Sequence, residues 1–141
     1  MKKNLALLLV LLAIISCNID DGANFNYELV PVQNANFPET FVLGSTYEIP
    51  VEFIRPTQCH FFADFSFSKI DQTTRRMGVI NSVFTDQDCM GLTNSTSEMS
   101  FNFMVLFEGT YTFEFWKGED ANGEDQYIIF EVPVVRKETI N

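Results

Sequence analysis

The chain reads as an all-β domain, an antiparallel β-sandwich of about seven strands. Three observations predict it. Apolar and polar residues alternate with a period of two through most of the chain beyond residue 25, and no long helical pattern competes with them. The alternating runs are short and bounded by Gly, Pro, Asn and Asp clusters, the spacing of a sandwich. Finally, Asn122-Gly123 lies between two such runs and is the strongest short hairpin signal, because a type I′ turn needs positive φ at both central residues.

Asn26 to Val32 and Thr40 to Leu43 are short opening pieces, broken by Pro31 and Pro38. Gly44-Ser45 opens a clear strand with Tyr47, Ile49, Val51 and Phe53 on one face and Glu48 and Glu52 on the other. Pro50 has no N–H for a ladder, so this strand needs a bulge or an unpaired side there. Arg55-Pro56-Thr57 ends it. The next run points Phe61, Ala63, Phe65 and Phe67 inward and Phe62, Asp64, Ser66 and Ser68 outward. Asp71 to Thr74 turn, Arg76 to Phe84 is a weaker strand, and Thr85 to Ser97 is a polar loop containing Cys89. Met99, Phe101, Phe103 and Val105 form the inner face of the following strand; Tyr111, Phe113 and Phe115 form that of the next. The last strand, Tyr127 to Val135, offers Ile128, Phe130, Val132 and Val134. A turn centred on Asn122-Gly123 sets Phe115 against Phe130, Phe113 against Val132 and Tyr111 against Val134, all on the core face.

Gly109-Thr110-Tyr111-Thr112-Phe113 resembles the tyrosine corner of immunoglobulin-like domains, with a small residue two before the tyrosine and a core residue two after. Phe113 stands where antibody domains carry their second cysteine, and no tryptophan follows Cys59 on its strand. The resemblance is therefore to the wider immunoglobulin-like group, and it implies an immunoglobulin-like sandwich. A small up-and-down barrel is the alternative architecture.

The first residues carry an address. Met1-Lys2-Lys3-Asn4 is basic, and Leu5 to Ile15 is an unbroken apolar run of 11 residues, signal-peptide length where a spanning helix needs about 18. The run ends in Ile14-Ile15-Ser16-Cys17, which resembles the lipobox of bacterial lipoproteins, with Ile15 bulkier than the commonest choice at its place. The resemblance implies cleavage before Cys17, acylation of that cysteine and anchoring to a membrane; two or three acyl chains hold stably where one does not. Asp20-Asp21 resembles the acidic export tag of Bacteroidetes surface lipoproteins, from whose tightest form Ile19 departs. An outer-membrane anchor facing the cell surface is the expected location, with the periplasmic leaflet as the alternative. The expected division is a signal peptide over 1–16, a lipidated cysteine and tether over 17–25, the sandwich over 26–137 and a tail over 138–141.

Cleavage before Cys17 leaves 125 of the 141 residues, room for one domain. Lys2 and Lys3 leave with the signal, so 7 basic residues face 19 acidic ones, a net charge of −12. So acidic a surface repels nucleic acid and anionic lipid headgroups. With Cys17 lipidated, Cys59 and Cys89 are an even pair in an oxidising compartment, and a disulfide follows.

Catalytic chemistry is thin. His60 is the only histidine, and the cysteine beside it is expected to be oxidised, so neither a Ser-His-Asp nor a Cys-His site assembles readily. A zinc site needs three or four ligands. An acidic pair for glycoside hydrolysis needs a cleft that a short-looped sandwich hardly offers. No catalytic residues are assigned, and the protein is expected not to be an enzyme. Asp120, Asn122, Glu124 and Asp125 cluster at the hairpin tip, where oxygen ligands around a glycine turn suit a weak calcium ion, the one cofactor considered. They lack the spacing of an EF-hand loop, and a solvated tip is the plainer account.

The hairpin register also puts Trp116 against Ile129 on the outer face, with Tyr127 in the same phase. In an immunoglobulin-like order the strand from Cys59 lies beside the Tyr111 strand, which adds Phe62. Asp64, Glu114 and Glu131 fall on this face, with Glu114 opposite Glu131, a like-charge pair that hints at a basic or metal-bearing partner. Four large apolar groups on one exposed face suggest a contact surface. The expected role is a lipid-anchored, non-catalytic envelope module that binds a protein or glycan. An accessory subunit of an envelope complex is the second reading, and a small carbohydrate-active enzyme the third.

Overall fold

A computed structural model describes residues 24–137. The expected signal peptide, Cys17, most of the expected tether and the tail over 138–141 lie outside those residues. The described chain has no helix and nine strands: β1 (Phe25–Val30), β2 (Val32–Ala35), β3 (Phe41–Val42), β4 (Thr46–Ile54), β5 (His60–Lys69), β6 (Thr74–Phe84), β7 (Thr96–Met104), β8 (Thr110–Glu119) and β9 (Asp125–Val135). They form a two-sheet β-sandwich. One sheet is curled and mixed, in the order β1-β6-β8-β9-β3 with β5 on the other flank of β6; the second is antiparallel, in the order β2-β4-β7.

The all-β sandwich is as expected, with differences in count and order. The opening segment supplies three strands where fragments were expected, because Pro31 ends β1 in the curled sheet and β2 restarts in the other. Two pairings are parallel, β6 with β8 and β3 with β9, so the sandwich is not wholly antiparallel. Most consequential, the strand beside β8 is β6, while β5 lies one strand further out. The expected adjacency of the Cys59 and Tyr111 strands is overturned.

Aromatic packing dominates the core. Phe41, Phe53, Tyr111, Phe113 and Phe115 are fully buried with Ile49, Val51, Val79 and Val132, and Phe37 closes one side at 4.5 Å from Phe113. Each fully buried Phe or Ile side chain contributes roughly 1.5–3 kcal/mol. The tyrosine corner forms as its motif implied: the Tyr111 hydroxyl accepts the N–H groups of Leu106 and Phe107 at 3.2 and 3.1 Å. Pro50 sits in the central strand of the smaller sheet where β2 has already ended. Its carbonyl accepts from Asn36 N at 2.9 Å, so the missing donor points to a side where no ladder continues.

Cys59 and Cys89 are bonded, with Cα atoms 5.6 Å apart. The bond ties the polar loop to the start of β5, where Gln58 N donates to Met90 O and Leu92 N to Pro56 O. Chain-entropy arithmetic for a loop of this length gives roughly 3.5 kcal/mol.

Two registers depart from expectation. In β5 a bulge between Phe62 and Asp64 reverses the alternation. Phe62 therefore points inward, 5.1 Å from Phe65, and Phe61 turns to the outer face; Phe65 and Phe67 keep the expected inward phase, opposite Val79 and Met77, with Phe67 still half exposed. In the last hairpin Phe115 pairs with Ile128, Phe113 with Phe130 and Tyr111 with Val132, a shift of two residues that keeps the core face. The turn is centred on Ala121-Asn122, closed by Gly123 N to Asp120 O at 3.0 Å, with only Gly123 at positive φ (79°).

Candidate functional site

The outer face of the curled sheet is built from alternate residues of β5, β6, β1, β8 and β9. Trp116 and Tyr127 stand directly opposite each other, and Ile129 stands opposite Glu114. The Trp116 indole Nε1 donates to Asp125 Oδ1 at 2.7 Å, and the Tyr127 hydroxyl donates to Asp125 Oδ2 at 3.4 Å, so one carboxylate fixes both rings. From the neighbouring β6, Arg76 pairs with Glu114 at 2.8 Å and lays its guanidinium 4.7 Å from the Tyr127 ring centre. That hydrogen bond raises the Arg76 pKa above its ordinary value. A planar cation on an aromatic face, held by a carboxylate, is an ordered polar edge to an apolar patch.

A glycine opens the floor between these groups. A Cβ at Gly78 would stand 2.9 Å from Leu29 Cδ2 and 3.9 Å from Trp116 Cβ, so only a residue without one leaves this space. The result is a shallow cleft of about 110 Å³ walled by Leu29, Ser66, Ser68, Trp116 and Tyr127. Beyond it the apolar face continues. Phe25, Tyr27 and Leu29 of β1 pair with Phe84, Ser82 and Ile80, and all three β1 side chains are exposed, Tyr27 at 66 %. Phe25 meets Tyr27 edge-on at 5.3 Å, and Phe84 meets Phe61 at 5.5 Å.

The expected face is thus partly reassigned. Trp116, Tyr127, Ile129, Glu114 and Glu131 share it, Ile129 being 60 % exposed. Phe62 does not: the bulge after it turns its ring onto Phe53, 6.0 Å away in the core. Asp64 remains exposed on β5, but its Oδ1 accepts the Phe65 N–H at the bulge. Glu131 stands opposite Thr112, and Glu114 is neutralised by Arg76, so the like-charge pair does not form and the hint of a basic or metal-bearing partner lapses.

Sequence reasoning missed Phe25, Tyr27, Leu29, Phe61, Phe84, Arg76 and Gly78. Their alternation is readable locally, yet nothing local says that β1 joins the curled sheet.

At the hairpin tip the carboxylates do not converge. Asp120 Oδ1 accepts from Asn122 N and Glu124 N at 2.8 and 3.0 Å, while Asp125 is turned toward Trp116. Those backbone N–H groups, Glu124 first, lower the Asp120 pKa from its usual 3.8. Among the described residues no group of three or more His, Cys, Asp or Glu side chains is placed to hold a metal ion. His60 is buried, its Nδ1 2.8 Å from Thr57 Oγ1 and its Nε2 3.4 Å from Glu28 Oε2.

No family model matches the chain, and no curated protein or solved structure matches it either.

Proposed function

We propose that this chain is a lipid-anchored, non-catalytic module of the bacterial cell envelope, which binds a protein or glycan through the outer face of its curled sheet. One observation carries the reading. Phe25, Tyr27, Leu29, Phe61 and Ile129 lie exposed on a single sheet face, beside a Trp116–Tyr127 pair fixed by Asp125 and Arg76. Scattered exposed hydrophobes need no explanation, but a contiguous apolar face with a polar rim is the anatomy of a contact surface. The anchor rests on the lipobox-like Ile14-Ile15-Ser16-Cys17, and the outward-facing location on Asp20-Asp21.

An accessory role in an envelope complex has its own support. Strands β5 and β7 each pair on one side only, leaving two long edges open to strand addition.

A photo-reactive side chain placed at Tyr27 or Ile129 should give a discrete adduct in intact cells. The same probe at Glu48, exposed on the outer face of the other sheet, should give none. Equal labelling from all three positions would refute the face. Adducts only from β5 or β7 edge positions would favour the accessory role.

A further inference from the structure

A second site lies inside the sandwich at the disulfide end. Asn81 is wholly buried (0 % exposed), and neither its Oδ1 nor its Nδ2 has a hydrogen-bond partner among the described residues. A buried amide left unpaired is destabilising, so such a group calls for a partner. Asn81 lines a cavity of about 310 Å³ that opens between the starts of β5 and β7. Ser97 and Glu98 also line it, and two further polar neighbours, Arg55 and His60, are already engaged. Arg55 donates to the carbonyls of His60 and Gln58 at 2.8 and 3.0 Å, and both His60 ring nitrogens face other side chains. Phe53, Phe62 and Met99 supply an apolar wall, and Met99 is 41 % exposed, a flexible side chain at the opening.

We propose that this cavity takes one pyranose ring, held by a pair of adjacent hydroxyls on Asn81. The amide presents a donor and an acceptor side by side. Two vicinal hydroxyls complement it, one accepting from Nδ2 and the next donating to Oδ1. A carboxylate would satisfy Nδ2 and leave Oδ1 without a donor, and a hydrocarbon would leave both atoms bare. Phe62 and Met99 suit the C–H face of the ring. The volume lies at the small end of ligand pockets, a single sugar more than a chain of them. The cavity meets the outer face at Phe61, but the proposal rests on Asn81 and does not depend on that face.

The test uses the ¹⁵N-labelled full chain in detergent and follows the Asn81 side-chain amide signals during titration with methyl glucoside, galactoside and mannoside. At least one glycoside should shift them saturably. Its deoxy analogue, lacking one hydroxyl of the pair, should bind roughly tenfold more weakly or worse. Asn81→Leu should abolish the response, and if that variant fails to fold the deoxy comparison on the unaltered chain still decides. Trp116→Ala should leave the response intact, which separates this site from the outer face. No shift up to the solubility limit of all three sugars would overturn the proposal. So would a crystal structure with ordered water on both amide atoms that persists in the presence of sugar.

Discussion

Arg75 enters the sandwich 5 % exposed, with no carboxylate among the described residues within ion-pair reach. Its guanidinium instead donates to the carbonyls of Asp71, Thr74 and Gln72 at 3.0, 3.0 and 3.1 Å and lies 5.4 Å from the Tyr111 ring centre. One side chain thereby ties the β5–β6 turn to the tyrosine corner. Hydrogen bonds from a charged donor are worth about 1.5–3 kcal/mol, and the buried stem adds packing. Arg75→Ala should therefore lose about 2–3 kcal/mol in urea denaturation. Arg75→Lys should recover less than half of it, because an ammonium cannot fork to three carbonyls in fixed positions. A loss below ~0.5 kcal/mol for the alanine variant would show that water replaces the guanidinium at no cost. The same scale explains what a residue-by-residue reading can see. Asn81 falls in phase with the inward series Met77, Val79 and Val83, so a polar residue on the core face was readable. That it lacks a partner was not, since the answer depends on strands far away in sequence.

At the scale of elements, the hairpin shows how much of a register local sequence can set. Asn122-Gly123 marks the turn and the parity correctly, but Asp120 captures two N–H groups and moves the turn centre one residue earlier. An extra residue at the Gly123 side and another at Lys117, on opposite strands, then cancel, so the core face survives a two-residue shift. Ala63 has no such compensation, and its bulge removes Phe62 from the outer face. Bulges depend on what the partner strand offers, and the alternation of one strand does not contain that. Asp120 also makes the turn sensitive to acid. Its folded pKa lies below 3.8, held down by the N–H groups of Glu124 and Asn122. A depressed carboxylate contributes stability that is fully present above its unfolded pKa and is lost as pH falls through the folded value. Amide exchange at Asn122 and Glu124 should therefore accelerate, beyond its intrinsic pH dependence, only below that value. Asp120→Asn keeps an acceptor oxygen and should show no such step; an identical step in that variant would assign the transition elsewhere.

At the scale of the whole molecule, the proposed lipid anchor and the proposed contact face must work together, and the chain between them limits how. β1 begins at Phe25, so residues 17–24 alone separate a lipidated Cys17 from the sheet. Fully extended, eight residues reach about 26–29 Å, little more than the depth of a headgroup layer and its hydration. A domain so tethered stays close to the bilayer, with the exposed Phe25 and Tyr27 immediately after the tether. Its acidic surface is repelled by anionic headgroups, so the proposed attachment would rely on acyl chains and not on charge. Cys17→Ser removes the thiol proposed to carry the diacylglycerol. Cells fed a palmitate analogue should label the unaltered chain and leave the variant unlabelled, at precursor size or released from the envelope. Label surviving in Cys17→Ser would place the acyl chains on another residue. A variant processed and retained as before would show that the domain holds to the envelope by its own contacts, and the outer face of the curled sheet would be the first surface to test for them.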